Sequence, residues 1–280
     1  MAFLLGLLTA GAFGSSDFLG GFVTRRNAVT AVLVTTLATG FLVSPLLLVL
    51  FPEPFPGTRV VLLSAGVGII GTAGLGLLFT GLSIGRMSVV APISAVGSSV
   101  IPVLWGILTG ERPSVVAVVG IVAALVAIVL VARGPEAQPF EGGSRVRELL
   151  VAAGAGIGFG VAFIFFSETG DHAGFWPVFL SRCFSLPILL VIVVVARLPK
   201  RLTSRDYPLS IGGALLELSA NAFQLLAFRR GLISLVAPVS GLYPAVTVLL
   251  ARVVLSERMG RSQVAGLAIA LTGLVLIAVG

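Results

Sequence analysis

Charge is what this 280-residue chain has least of. Only 10% of its residues are Asp, Glu, Lys or Arg, against 57% hydrophobic, and its mean hydropathy is +1.14. A soluble domain of that length does not carry such a balance, because too little polar surface remains to face water. The scarce residue types narrow the field further. Cys183 is the only cysteine, which excludes an intrachain disulfide and a cysteine-rich metal cluster. His172, the only histidine, stands beside Asp171 in a connecting segment; one imidazole and one carboxylate leave a metal underliganded, so a solvated loop histidine is expected. Lys200, the only lysine, lies in PKRLTS and not in a Walker loop, which argues against an ATP-driven pump. There is no Gly-x-Ser-x-Gly nucleophile motif. Asp17 is the only aspartate within an apolar run, and an aspartic dyad needs two. The reading is of a protein that is not an enzyme and needs no cofactor or metal.

What the chain has in abundance is apolar runs of about 20 residues, the length a helix needs to cross roughly 30 Å of hydrocarbon. Ten are expected, at 3–24, 28–51, 59–83, 87–109, 113–132, 149–167, 175–196, 207–230, 233–255 and 261–279. The first lacks a basic leader and carries Asp17, so it reads as a span and not as a cleaved signal. The net charge of +7 is scattered through short loops without interleaved aromatics, which argues against nucleic acid as a partner. It is also one-sided. The connections after odd-numbered spans hold Arg25, Arg26, Arg86, Arg133, Arg145, Arg147, Arg197, Lys200, Arg201, Arg205, Arg258 and Arg261, whereas the other side holds Arg59, Arg112, Arg229 and Arg230. This bias predicts odd-numbered loops in the cytoplasm and both termini outside. A reporter fused after Gly280 should therefore be extracytoplasmic; cytoplasmic labelling would reverse the orientation. Trp176 and Tyr207 fall at span ends, as interfacial anchors do. Basic residues that are nearly all arginine fit a GC-rich bacterial genome, so a bacterial inner membrane is the expected location.

The chain repeats itself. SVVAPISAVGSSVIPVLWGILTGER (88–112) lies over SLVAPVSGLYPAVTVLLARVVLSER (234–258) without a gap, so that Ser88 meets Ser234, Pro92 meets Pro238 and Ser94 meets Ser240. Over 85–130 against 231–276, sixteen of 46 positions are identical, enough to read an internal repeat. Each half then holds five spans. Five is odd, so the second half enters the membrane from the opposite side. The expected fold is an all-α integral membrane protein of ten transmembrane helices in two inverted-topology five-helix repeats, 1–132 and 149–280, joined by a cytoplasmic linker, 133–148, rich in Gly, Pro and charge.

The pattern of Pro in the fourth helix, Glu-Arg at its end and Gly in the fifth (Pro92, Glu111, Arg112, Gly120; Pro238, Glu257, Arg258, Gly266), with NAFQLLAFRRGLISLVAP at 221–238, resembles the EamA-type branch of the drug/metabolite transporter superfamily. The resemblance covers nearly the whole chain. It implies a secondary transporter working by alternating access, with export as the expected direction and a small metabolite, amino acid or drug as the substrate class; it does not select among them. A channel or facilitator without ion coupling is the alternative, and a membrane-embedded enzyme is less favoured still.

The residues point the same way. Two inverted halves can exchange conformations about a central site, and spans four and nine are the Pro- and Gly-interrupted ones: Pro92, Gly97 and Pro102; Pro238, Gly241 and Pro244. These are expected to bend and expose backbone near a midplane site. GAGIGFG (154–160) and GIIGTAGLG (68–76) read as small-residue packing seams.

The repeat also sorts polar residues. Those present in both halves, Glu111 with Arg112 and Glu257 with Arg258, belong to the scaffold as caps or surface ion pairs. Those in one half only are candidates for substrate contact: Glu217, Asn221 and Gln224, which align with Gly71, Leu75 and Leu78; Arg182 with Thr36; Asp17 with Phe163; Tyr243 with Gly97. Glu217, Asn221 and Gln224 are three or four residues apart and so share one helical face. A mid-helix carboxylate costs about 2.5–3.5 kcal/mol on insertion scales and persists where it meets a cavity or a partner. The stripe is expected to line a polar pathway with Ser94, Ser240 and Tyr243; Arg182 is the countercharge of Glu217 or the contact for a substrate carboxylate. Asp17, nearer the inner end of its span beside Ser15 and Ser16, fits a vestibule or a binding position equally. With no ATP motif, uphill movement must draw on a gradient, and proton coupling needs a group that changes charge. Glu217 is the first candidate and Asp17 the next.

Overall fold

A computed structural model describes residues 1–84, 87–132, 145–255 and 260–279. With no water in the hydrocarbon to satisfy peptide groups, a spanning chain must bond its backbone internally. The described chain accordingly folds into helices, with no strand among the described residues. They are α1 (Ala2–Thr24), α2 (Val29–Val43), α3 (Pro45–Leu50), α4 (Thr58–Ile84), α5 (Met87–Leu108), α6 (Val115–Ala132), α7 (Arg145–Ser167), α8 (Trp176–Val195), α9 (Tyr207–Phe228), α10 (Ile233–Ser240), α11 (Tyr243–Leu255) and α12 (Arg261–Val279). Eight segments are long and apolar enough to cross a membrane, and two shorter apolar stretches, Val115–Leu130 and Val264–Ile277, lie in α6 and α12. Leu42, Val49, Leu108, Val195 and Val253 stand fully out from the bundle, which suits a lipid-facing surface and no aqueous one.

Small residues set the packing. Along α4 and α7, Gly66 faces Phe165, Gly71 faces Ala162, Gly74 faces Phe159 and Gly81 faces Val151, an antiparallel seam. α1 and α9 pair in the same sense: Ser16 Oγ donates to the Gly213 carbonyl at 2.9 Å, and Leu5 clusters with Ala227 at the far end. The two pairings correspond under the repeat, since α7 occupies the place of α1 and α4 that of α9. α7 also lies parallel to α5, Gly156 against Ser94 and Gly160 against Ile101, just as α1 lies parallel to α10 and α11, Gly6 against Val239 and Gly14 against Val246. α6 and α12 pack on each other in opposite directions: Gly120 meets Gly273 and Ile277, while Gly273 meets Gly120 and Ala124.

The helix breaks differ from expectation in one half. Span nine is broken, α10 ending at Ser240 and α11 starting at Tyr243. α5, its counterpart, runs unbroken through Pro92 and Pro102. The reason is local. Pro244 has no N–H to give to the Ser240 carbonyl, and its place in α5 is taken by Ser98, which keeps that donor. The second span divides at Ser44 because Pro45 starts α3.

Glu111 joins the two halves. Its carboxylate accepts from the N–H groups of Ile233 (2.8 Å) and Ser234 (2.9 Å), the first exposed donors of α10, so it caps a helix of the other repeat. Glu111→Gln should lower stability by about 1 kcal/mol and leave ligand preference unchanged; detergent-solution melting checks the first, competition binding the second. A selectivity change would remove it from the scaffold. Glu257 and Arg258, its repeat mates, lie outside the described residues, as do Arg86 and 133–144 of the linker.

Candidate functional site

A cavity of about 710 Å³, its mouth included, opens where α1, α4, α7, α8, α9 and α11 converge. Its walls come from both halves and from repeat-related positions. Glu217 and Gly71 both line it, as do Asn221 and Leu75, Asp17 and Phe163, and Phe13 and Phe159. At three of these pairs one half supplies a polar group where the other supplies an apolar residue or a glycine. The cavity therefore has a charged wall and an aromatic wall.

On the charged wall Arg182 of α8 reaches Glu217 of α9. Its Nη2 donates to Oε1 at 2.7 Å and to Oε2 at 2.6 Å, and Asn221 Nδ2 donates to Oε1 at 2.6 Å. The side chains are 7% and 10% exposed, so the pair is desolvated. Glycine makes room for it. Gly40 of α2 lies against the Arg182 Nε, and Gly68 of α4 lies against the backbone of Ser181, which seats α8 deep enough for the guanidinium to face α9. Of the two sequence readings of Arg182, the countercharge is the arrangement found.

Asp17 of α1 is 5% exposed and lines the same cavity. It takes no hydrogen bond or ion pair from the described residues. For Asp17, read from the sequence as a vestibule or a binding position equally, the structure gives an enclosed position: α1 packs along α9, and Asp17 lines the cavity together with Glu217. Tyr243, the first residue of α11, also lines the cavity. Its hydroxyl sits 2.6 Å from Ser94 Oγ, and both hydroxyls reach the Ala91 carbonyl, Ser94 at 2.8 Å and Tyr243 at 3.4 Å.

The remaining candidates fall elsewhere. Ser94 stands behind Tyr243 and does not line the cavity; neither does Ser240, packed at the α1–α10 seam near Gly6. Gln224 shares the face of Glu217 and Asn221, yet it is fully buried and neither end of its amide finds a hydrogen-bond partner among the described residues. Two turns beyond Asn221 that face carries Phe228, edge-to-face with Phe163 at 5.9 Å. Pro92, Pro238 and Pro244 shape helices and touch no cavity surface. Sequence reasoning missed the aromatic wall of Phe13, Phe159, Phe163 and Phe166. A signal was present: Phe159, Phe163 and Phe166 recur at helical spacing, so they share a face of α7. Among the described residues no group of His, Cys, Asp and Glu is placed to hold a metal.

A model of the EamA-like transporter family matches residues 1–133 and 146–279. No curated protein matches. A solved structure described only as "Crystal structure of protein" aligns with a TM-score of 0.72 at 17% identity, covering 99% of this chain and 96% of the other. At that identity the likeness concerns the fold alone.

Proposed function

Since the chain belongs to the EamA-like transporter family, a family of membrane transporters, we propose that it is a secondary active transporter that exports a small organic solute by alternating access, driven by a proton gradient. The observation that carries this is the cavity itself: its walls are repeat-related positions of both halves, so exchanging the conformations of the halves would carry its opening from one membrane face to the other. The packing directions support two inverted five-helix repeats and ten spans, because α6 and α12 occupy equivalent places and run in opposite directions. Residues 1–132 and 149–280 are then the moving units, and 133–148 the link between them.

Substrate contact falls to Asn221, Tyr243 and Asp17 in the cavity, with Arg182 and Glu217 as the charged frame and Ser94 holding the Tyr243 hydroxyl. Ser240 and Gln224 would act by packing. Asp17 is the carboxylate free to exchange a proton in this state, since the Glu217 charge is met by Arg182 and Asn221. The test is flux through purified protein in proteoliposomes. With an imposed pH gradient, amino acids, amines and cationic drugs are offered in turn, and at least one must accumulate against its own gradient. Equilibration without accumulation would favour the channel reading; no flux of any solute would remove transport.

A further inference from the structure

The buried Asp17 carboxylate, unpaired in an aromatic-walled cavity, is the feature that the scaffold does not explain. A carboxylate taken out of water is stable only when a proton or a cation meets its charge. The one guanidinium in the cavity is already committed: both bonds from Arg182 Nη2 go to Glu217, and Asn221 supports the same carboxylate. With both carboxylates ionised, two of them face one guanidinium, so Asp17 is the one whose charge a proton or a cation must meet.

The aromatic lining decides what kind of cation fits. Phe13, Phe159, Phe163 and Phe166 add four rings to the cavity lining, which attract an organic ammonium and its apolar body and supply no ligand oxygens to an inorganic ion. An anion, or the carboxylate of a zwitterion, would meet a guanidinium whose charge Glu217 already balances and would stand beside two carboxylates. A monocation meets the carboxylate that Arg182 leaves unbalanced and keeps the pair intact.

We infer that the transported solute is an organic monocation with an aromatic or aliphatic body, its nitrogen held by Asp17 and its body by the phenylalanine wall. This rests on the transport reading above and names its substrate class. Asp17 contacts the solute directly; Arg182 and Glu217 act as positioning residues that keep the rest of the wall neutral.

The test is binding to purified full-length protein in detergent by calorimetry, with four probes sharing a phenyl ring: N,N,N-trimethylphenethylammonium, phenethyl alcohol, L-phenylalanine and 3-phenylpropionate. The cation should bind at least about tenfold more tightly than each of the others. Asp17→Asn should erase that preference, and Asp17→Glu, which keeps the charge, should retain it. If Asp17→Asn does not fold, the wild-type ranking and Asp17→Glu carry the test. Tighter binding of phenylalanine or phenylpropionate would overturn the cation assignment and leave transport standing. Equal binding by wild type and Asp17→Asn, or no binding of the cation, would overturn it too. Failure of the transport reading shows separately, as absence of flux in proteoliposomes for solutes of every charge.

Discussion

Arg182→Ala is expected to destabilise the protein by about 3–5 kcal/mol, because removing one member of a buried pair strands the other. Glu217 would keep only the Asn221 amide, with its second oxygen facing a low-dielectric cavity. The protein contains its own control. Arg59 and Glu168 form an ion pair of nearly the same length, 2.8 Å against 2.6 Å, but with side chains 75% and 35% exposed. Water already solvates that pair, so Arg59→Ala should cost at most about 1 kcal/mol. The ratio between the two losses measures desolvation and not distance. Replacing both buried partners, Arg182→Leu with Glu217→Leu, should recover most of the stability, since it removes the stranded charge together with its mate. Unfolding in mild detergent, followed by tryptophan fluorescence, compares the four proteins. Equal losses for Arg182→Ala and Arg59→Ala would sink the account of a desolvated pair.

Asp17→Asn is expected to abolish accumulation driven by a pH gradient while the solute still moves downhill. A carboxylate that holds either one proton or one monocation exchanges them one for one. Each unit of pH gradient, about 1.4 kcal/mol, then supports up to about a tenfold solute gradient. Asparagine binds neither, so the accumulation ratio should fall to about one. The exchange moves no net charge, so a membrane potential imposed with potassium and valinomycin should leave the wild-type ratio unchanged. Proteoliposomes loaded with N,N,N-trimethylphenethylammonium measure both. Glu217→Gln separates the two carboxylates: coupling should survive it, at reduced stability. Accumulation retained by Asp17→Asn and lost by Glu217→Gln would move the proton site to Glu217.

Much of this protein was legible in the order of its residues. Hydropathy is additive along the chain, so the spans, their number of apolar residues and the one-sided arginines follow from composition in a window. The repeat is legible for the same reason: identity at matched positions such as Pro92 and Pro238, or Glu111 and Glu257, needs no coordinates. It also singled out Glu217, Asn221, Arg182, Asp17 and Tyr243 as residues that one half has and the other lacks, and all five line the cavity.

Tertiary structure alone decided how those residues relate. Arg182 and Glu217 stand on separate helices, and only the close seating of α8 on α4 at Gly68 brings them within 2.6 Å. Helical period assigns a face, but not what a neighbouring helix lays against it, which is why Gln224 belongs to the stripe and not to the cavity. The same limit applies to proline: Pro92 and Pro238 are equivalent in sequence, and the break follows Pro244, whose mate Ser98 still has its N–H. Asp17 shows it most sharply. Sequence marks it as an expensive charge in an apolar helix, whereas its lack of a partner among the described residues is a property of three-dimensional space: the arginine that lines the same cavity is bonded to Glu217.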